Sequence, residues 1–252
     1  MSSDKLLPWA KPLLISSTLT QATIYVLRPM ITYRALELDA NAAQIGLIAS
    51  VYALFPVLLA LQFGKWVGRM GEAKFIIYGT LAMLVTSAGL MVAHSILWLS
   101  IAAACAGTAH LACMVGGQSM VALRAPRESY DRYFGFYTFS ASVGHMLGPI
   151  VAAVVAGSNG NLPKSTSNAF LLGVVLTILA LFPVIRWRNE RPTVVAQQNS
   201  EGTYKTALNL VKRPGILAAI YISLAISSAA DVLVVFLPLF GTENNFSPYA
   251  VG

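Results

Sequence analysis

Residues 12–34 read PLLISSTLTQATIYVLRPMITYR, an apolar stretch that carries a charged residue, Arg28, within it. The stretch is long enough to cross the ~30 Å hydrocarbon core of a bilayer, for which a helix needs ~20 residues. A charge at that depth is unfavourable unless a partner neutralises it, so such a residue is by default part of a pathway, a gate or a coupling site. The stretch therefore predicts a membrane helix that does more than anchor the chain.

Further apolar stretches follow at short intervals, at 45–67, 75–94, 96–122, 133–156, 168–187 and 215–240. The composition agrees, with 56% hydrophobic and 11% charged residues, against roughly 45–50% and 25% in soluble domains. None of the stretches alternates like the strands of an outer-membrane barrel, and an unbroken apolar run satisfies its backbone in lipid only as a helix. The sequence predicts an all-α membrane protein with seven spans.

The positions of Lys and Arg predict the orientation of these spans. If the N-terminus is inside, the outer loops contain only Arg34 and Lys164, and all other basic residues of the loops and termini lie on the cytoplasmic side. The positive-inside rule therefore predicts a cytoplasmic N-terminus in a plasma membrane, with a bacterial inner membrane favoured. Basic loops that face anionic lipid also account for the net charge of +7 without a nucleic-acid partner. The cytoplasmic basic residues are Lys5, Lys11, Lys65, Arg69, Lys74, Arg124, Arg127, Arg132, Arg186, Arg188, Arg191, Lys205, Lys212 and Arg213.

The chain divides at a polar segment after the sixth span. We expect a six-helix transmembrane bundle over 1–187, a cytoplasmic loop over 188–214 and a seventh span over 215–252. Within the loop, the i, i+3, i+4, i+7 spacing of apolar residues over 204–211 predicts a short interfacial helix.

A weak internal repeat relates the ends of the first and seventh spans. Aligning Ile45-Gly46 with Val251-Gly252 places Glu37 beside Glu243. Such a repeat indicates that a second bundle begins at the seventh span. We therefore expect an N-terminal fragment of a longer protein, whose missing C-terminal half is its natural partner, and a loosely packed seventh helix.

Two short motifs carry a family resemblance. After the second span, Gly64, Arg69 and Gly71 resemble the signature of the major facilitator superfamily, which is a Gly, three residues, Asp-Arg, one residue, Gly and a basic pair. Gly68 stands where that signature has Asp, and Glu72-Ala73 stand where it has the basic pair. In the family the Asp anchors a charge network that holds the cytoplasmic side shut, so we expect this network to be absent here.

The second motif lies in the fifth span. Gly144, Gly148 and Pro149 resemble a Gly-x-x-x-Gly-Pro motif of exporters in the same family. The alternative is a generic packing face, since small residues four apart let membrane helices approach closely. An Arg that the family has early in the fourth span is absent, with Ala103 before Ala104-Cys105-Ala106-Gly107, so a proton relay that depends on it does not carry over.

The resemblance extends over the whole chain. It implies the fold of the family's six-helix N-terminal bundle plus the first helix of the second bundle. It also implies a secondary active transporter of a small organic solute, working by alternating access, with proton-coupled efflux of the drug/proton-antiporter type favoured over import. Its partners would be that solute, protons and the lipid bilayer, with no cofactor, no metal and no enzymatic activity.

A polar stripe on the first helix is the main candidate for the transport pathway. Its members are separated by three or four residues, which places them on one helix face: Thr18, Gln21, Tyr25, Arg28 and Thr32. Such a stripe must face protein or water, so we expect it to line a central cavity. The alternative for Arg28 is that it extends to the lipid headgroups at the outer end.

Asp231 in the seventh span lies at about the same depth as Arg28, because each is preceded by a similar length of helix. We expect the two to form an ion pair when the outer side is closed. The alternative is a carboxylate that is bonded locally by Ser227 and Ser228.

Two histidines complete the candidate pathway. His110 and His145 lie near the middles of the fourth and fifth spans, and Gln118 is expected on the same helix face as His110. A histidine changes its charge near physiological pH, which suits proton coupling, but a neutral, hydrogen-bonded histidine is the common alternative. His110 and Cys113 alone do not make a metal site.

Other classes of function fit less well. A seven-helix receptor or retinal protein is disfavoured by the cytoplasmic N-terminus and by the lack of a Lys in the seventh span. The hydrolytic motifs expected of an intramembrane enzyme are absent. A fragment that does not itself transport is the remaining alternative.

Overall fold

A computed structural model describes residues 6–160, 162–190, 211 and 213–251. Most of the polar segment after the sixth span lies outside these described residues, including all of the helix predicted over 204–211 except Val211. The helices are α1 (Ala10–Glu37), α2 (Ala42–Met70), α3 (Glu72–Met91), α4 (Ile96–Arg124), α5 (Tyr130–Ala156), α6 (Thr166–Val184), α7 (Ile216–Glu243) and α8 (Pro248–Val251). Short 3-10 helices at Arg127–Ser129 and Ile185–Asn189 and an antiparallel pair, β1 (Ser158–Asn159) and β2 (Leu162–Pro163), complete the secondary structure of the described residues.

Six of these helices, α2 to α7, are long and apolar enough to cross a membrane by length and composition. Helix α1 has 28 residues and is also long enough, but its polar stripe makes it less apolar than the others. A helix with this much polar surface needs protein around it in a membrane. The structure gives it that surrounding, because α1 packs against α4, α5, α6 and α7.

The packing order places α1 at the centre. Helices α5 and α6 cover two sides of α1, while α3 packs between α4 and α6 and α2 packs mainly on α4. We call the end near Ala10 the inner end and the end near Glu37 the outer end, following the predicted orientation. An apolar cluster around Leu27 and Phe170 fills the outer half, and another around Met120 and Trp187 fills the inner half.

Helices α2 and α3 meet almost without a loop. The predicted spans at 45–67 and 75–94 leave a connection at 68–74, but α2 continues to Met70 and α3 begins at Glu72. Gly71 alone makes the turn, with φ at +88°. This backbone conformation is open to glycine and unfavourable for other residues, which is the physical reason for a glycine at this position.

The outer end of α1 is fastened to the start of α6 by side chains. Thr166 Oγ1 donates to Glu37 Oε2 at 2.9 Å, and Arg34 Nη2 donates to Ser167 Oγ at 2.6 Å. The Arg34 guanidinium also lies over the Phe170 ring. These contacts fix where α1 leaves the bundle.

The internal repeat is visible in the turns that follow α1 and α7. Asp39 and Asn245 both have positive φ, at 56° and 58°. In both turns a backbone N–H bonds back to a helical carbonyl, from Ala40 to Ala35 at 3.0 Å and from Phe246 to Gly241 at 2.8 Å. The aligned positions therefore adopt the same local structure.

Helix α7 is packed far more loosely than α1, as the sequence predicted. Its buried residues are Val235, Pro238 and Gly241, all in the outer half, whereas α1 buries residues along its whole length. It packs mainly on α1 and on α8.

Close approach of α1 and α5 depends on two glycines of the fifth helix. A Cβ at Gly144 would contact the Thr18 carbonyl oxygen and would lie 2.8 Å from the Ala22 nitrogen. A Cβ at Gly148 would lie 2.7 Å from the Tyr25 Cβ. The generic role considered for this motif, a packing face of small residues, is therefore present.

We expect Gly144→Ala to lower the stability of the protein in detergent by about 1–3 kcal/mol, the usual effect of overpacking. The new methyl group has no space because the α1 backbone lies against it. Gly135→Ala is the matched control, since it lies on the same helix and its Cβ would meet nothing within 4 Å. Thermal unfolding of both variants measures the difference, and equal midpoints would contradict this account of α1–α5 packing.

Candidate functional site

The polar stripe of α1 contacts four different helices, α2, α4, α5 and α7. At its inner end, Thr18 Oγ1 donates to the Ser140 carbonyl oxygen of α5 at 3.0 Å. At its outer end, Thr32 Oγ1 donates to the Val235 carbonyl oxygen of α7 at 3.1 Å. The stripe thus faces protein, and its members Tyr25 and Arg28 also line cavities in the outer half.

Gln21 joins the two histidines at the middle of the stripe. Its Oε1 atom lies 2.9 Å from His110 Nε2 and 3.1 Å from His145 Nε2. With the amide in this orientation the oxygen accepts from both rings, so each imidazole carries its proton on Nε2. His110 Nδ1 is then an acceptor, and Tyr52 Oη donates to it at 3.0 Å. Two neutral histidines satisfy all of these hydrogen bonds.

Aromatic contacts fix the orientation of this cluster. Tyr25 stacks on the His145 ring with centroids 4.1 Å apart and the planes 24° from parallel. Tyr52 holds His110 from the other side and also receives the Arg28 guanidinium over its ring face, at 4.9 Å from the centroid. The network therefore continues from the histidines to Arg28. Tyr52 and the bridging role of Gln21 were not apparent from the sequence.

Arg28 and Asp231 are in direct contact. Arg28 Nη1 donates to Asp231 Oδ1 at 2.6 Å, and the side chains are 9% and 54% exposed, respectively. Arg28 therefore does not extend to the headgroups, and its partner lies on α7 as predicted. The accessible charge at this site is the carboxylate, because the guanidinium is enclosed between Asp231 and Tyr52.

Gln118 does not join the cluster. It is exposed on α4, two turns nearer the inner end than His110. Gln118 shares a helix face with His110, but this does not bring it to the cluster. Gln21 of α1 contacts α4 at the depth of His110, and Gln118 lies two turns away from that depth.

Comparison with known proteins agrees with this architecture. The family model described as "Major Facilitator Superfamily" matches residues 13–252. The chain belongs to the Major Facilitator Superfamily. It is accordingly a multi-pass membrane protein of a family of transporters, and that family is not one of enzymes.

Two curated relatives in this family are named as multidrug resistance proteins. Multidrug resistance protein 1 of Bacillus subtilis is 24% identical over 146 residues, which are 58% of this chain and 38% of that protein. Multidrug resistance protein MdtG of Citrobacter koseri is 26% identical over 156 residues, which are 59% of this chain and 37% of that protein. The matched region is thus well under half the length of these relatives.

Solved structures of the superfamily share the fold. A bacterial homologue of the human lysosomal transporter Spinster, in an inward-facing and unoccupied conformation, superposes with a TM-score of 0.68 at 16% identity, over 94% of this chain and 56% of that one. The peptide transporter POT in complex with sulfate gives a TM-score of 0.62 at 15% identity, over 95% of this chain and 50% of that one. At these identities the likeness shows the fold alone.

Most of the superfamily's inner signature lies within a helix in this chain. Gly64 and Arg69 lie in the last two turns of α2, and Arg69 is exposed. Gly68 is also exposed, and it has no side chain with which to bind a base.

A different charge network exists at the inner end, and the position of the signature Asp takes no part in it. Glu72, whose side chain is 1% exposed, accepts from Arg124 Nε at 2.8 Å. Arg124 Nη2 also donates to Glu190 Oε2 at 2.6 Å, and its guanidinium lies 6.0 Å from the Trp187 ring centroid. The carboxylate thus comes from the position where the signature has a base. It joins α3, α4 and the segment after α6.

We expect Glu72→Gln to lower the free energy of unfolding by about 3 kcal/mol, the lower end of the range for breaking a buried ion pair. Glu190 is more exposed, at 37%, so Glu190→Gln should remove less than about 1 kcal/mol, as surface pairs do. Chemical unfolding in detergent measures both, with Glu128→Gln as the control because this carboxylate is exposed at the same end of the bundle. Equal losses in all three variants would show that burial of Glu72 has no special effect.

Proposed function

We propose that this protein is a secondary active transporter that exports a small organic solute in exchange for protons, by alternating access. The single observation that carries the proposal is the Arg28–Asp231 ion pair, which links α1 to α7 in the outer half. Family membership supports transport, and the names of the multidrug resistance relatives support export. The Gly144–Pro149 motif, which resembles that of exporters, supports the same direction.

We also propose that the protein lies in a bacterial inner membrane with a cytoplasmic N-terminus. The distribution of basic residues supports this orientation, since Arg34 and Lys164 alone would then face outward. In this arrangement residues 1–187 form the first bundle, 188–214 form a cytoplasmic loop and α7 is the first helix of a second bundle. The matching turns after α1 and α7 support that division.

The ion pair would act as an outer gate. Arg28 lies on the most buried helix and Asp231 on the most loosely packed one, so separating them requires α7 to move and leaves α1 in place. The Thr32–Val235 hydrogen bond lies about one turn further out on the same pair of helices. Opening the outer side would break both contacts and let water solvate the two charges.

Protons and solute would bias this gate through Asp231. Its carboxylate is more than half exposed, whereas Arg28 is enclosed, so a proton or a bound solute reaches the acid first. Protonation would remove the negative charge that holds Arg28 and would weaken the closed state. The accessible carboxylate favours a neutral or cationic amphiphile over an anion as the solute, because Arg28 is already paired.

The neutral histidine cluster would then serve as a rigid support. Gln21 bonds both rings. Tyr25 stacks on the His145 ring, and the Tyr52 hydroxyl donates to His110 Nδ1. A proton on either ring would have to be accommodated beside Arg28, which repels it. We therefore place the coupling proton on Asp231 and not on His110 or His145.

A double-variant cycle tests the gate. Removing Asp231 alone should be worse than removing both partners, because Arg28 is enclosed and a lone buried charge is more unfavourable than an absent pair. We expect Arg28→Ala and Asp231→Ala each to reduce ethidium efflux from cells by about tenfold or more, and the double variant to recover part of it. A tenfold change corresponds to about 1.4 kcal/mol.

Ser228→Ala is the control, because Ser228 is exposed and lies one turn before Asp231 on the same helix. The thermal midpoint of each purified variant provides a readout that does not depend on the choice of solute. Strictly additive losses in efflux and in thermal midpoint would contradict the gate and leave two independent residues. Asp231→Asn should in addition abolish the dependence of efflux on the pH gradient.

A further inference from the structure

A cavity of about 190 Å³ lies in the outer half, between α1, α5, α7 and α8. Its apolar wall includes Met30, Pro149 and Pro238, and its polar residues are Tyr25, Tyr33 and His145. None of its lining residues, all within the described part of the chain, is charged. The cavity is therefore distinct in character from the Arg28–Asp231 site next to it.

Tyr33 contributes an unsatisfied group to this region. The residue is 1% exposed, and its hydroxyl is buried with no hydrogen-bond partner among the described residues. Buried hydroxyls are nearly always hydrogen-bonded, so an exception needs an explanation. Tyr33 lines the cavity, so a small shift of its side chain would let a molecule bound there supply the missing acceptor.

We propose that this cavity binds a small, uncharged aromatic molecule that carries one hydroxyl or carbonyl group. An apolar cavity of roughly 150 Å³ in another protein binds benzene, so the volume here suits a single substituted ring. The molecule must be uncharged, because no lining residue could neutralise an ion away from water. Its ring would pack against Tyr25 and the Met30 side chain, and its oxygen would accept from the Tyr33 hydroxyl.

The position of the cavity gives such a molecule access to the gate. Tyr25 and His145 belong both to the cavity wall and to the network that ends at Arg28. Leu233 and Val234, which follow Asp231 closely on α7, line the opposite wall. A bound ring would thus contact both sides of the outer closure. Its transport rests on the proposed function, whereas its binding does not.

Binding of 4-methylphenol to the purified protein tests the proposal directly, with toluene and benzylammonium as comparison probes of similar shape. Isothermal titration in detergent should give 4-methylphenol an affinity about 2–10-fold higher than toluene, the effect of one additional hydrogen bond. Any binding of benzylammonium should occur at Asp231, outside the cavity lining, and should therefore be unchanged in Ala153→Phe. Tyr33→Phe should remove the preference for 4-methylphenol and leave toluene binding unchanged.

Ala153→Phe should abolish binding of both aromatic probes, because Ala153 lines the cavity and is 4% exposed. Val154→Phe is the matched control on the same helix, since Val154 is 64% exposed and does not line the cavity. Partition of the probes into detergent contributes the same heat in every variant. The titration of Ala153→Phe measures this heat, which is then subtracted from the other titrations. If that variant does not fold, the Tyr33→Phe comparison still decides the result.

Equal affinity for 4-methylphenol and toluene in the unmodified protein, or binding of benzylammonium that is lost in Ala153→Phe, would overturn the proposal. Saturable binding without efflux of 4-methylphenol would leave the site intact and contradict only its use in transport. Intact ethidium efflux without any binding of the aromatic probes would refute the site and leave the gate unaffected.

Discussion

The charge of Arg28 must be neutralised inside the protein, because in a membrane neither lipid nor bulk water can do so at that depth. This constraint determines where α7 lies. The helix has few buried residues, and the 2.6 Å contact of Asp231 with Arg28 and the Thr32 hydrogen bond to Val235 fasten it to α1. The apolar contacts near Pro238 add to these bonds, but they are not directional and so do not determine the depth of α7 relative to α1. The ion pair therefore sets the register between α1 and α7.

The same constraint explains why α1 is the central helix. Its uncharged polar residues would be unfavourable against lipid, so the helix must be enclosed by others that supply partners. Gln21 obtains them from two helices at once, since His110 and His145 reach it from α4 and α5. Such close packing of α5 on α1 requires a residue without a side chain at Gly144, where the two backbones almost touch. The polar residues of α1 need partners on a neighbouring helix, and the small residues of α5 let that helix come close enough to supply them.

Much of this could be predicted from the sequence, because hydrophobic length fixes the spans and equal depth makes Arg28 and Asp231 candidate partners. Contacts that depend on how helices meet could not be predicted in the same way. Gly71 turns the chain within one residue, so the expected loop does not exist. Glu72 replaces a base of the signature, and only its contact with α4, 52 residues further along the chain, shows that it carries the network. The prediction that Gln118 joins the pathway does not hold for the same reason. Helix periodicity predicts which face a residue lies on but not the depth at which a partner helix contacts that face.

The two charge networks differ in which helices they join, and that difference bears on how the outer side could open. The inner network does not involve α7, because Glu72 and Arg124 belong to α3 and α4 and Glu190 to the start of the segment after α6. The outer pair instead connects that unit to α7. Under the proposed function, breaking the outer pair would release α7 and leave every inner contact of the bundle in place. This arrangement of contacts then favours movement of the first six helices as one rigid body. The contacts that would have to break and form again during alternating access are those between α1 and α7.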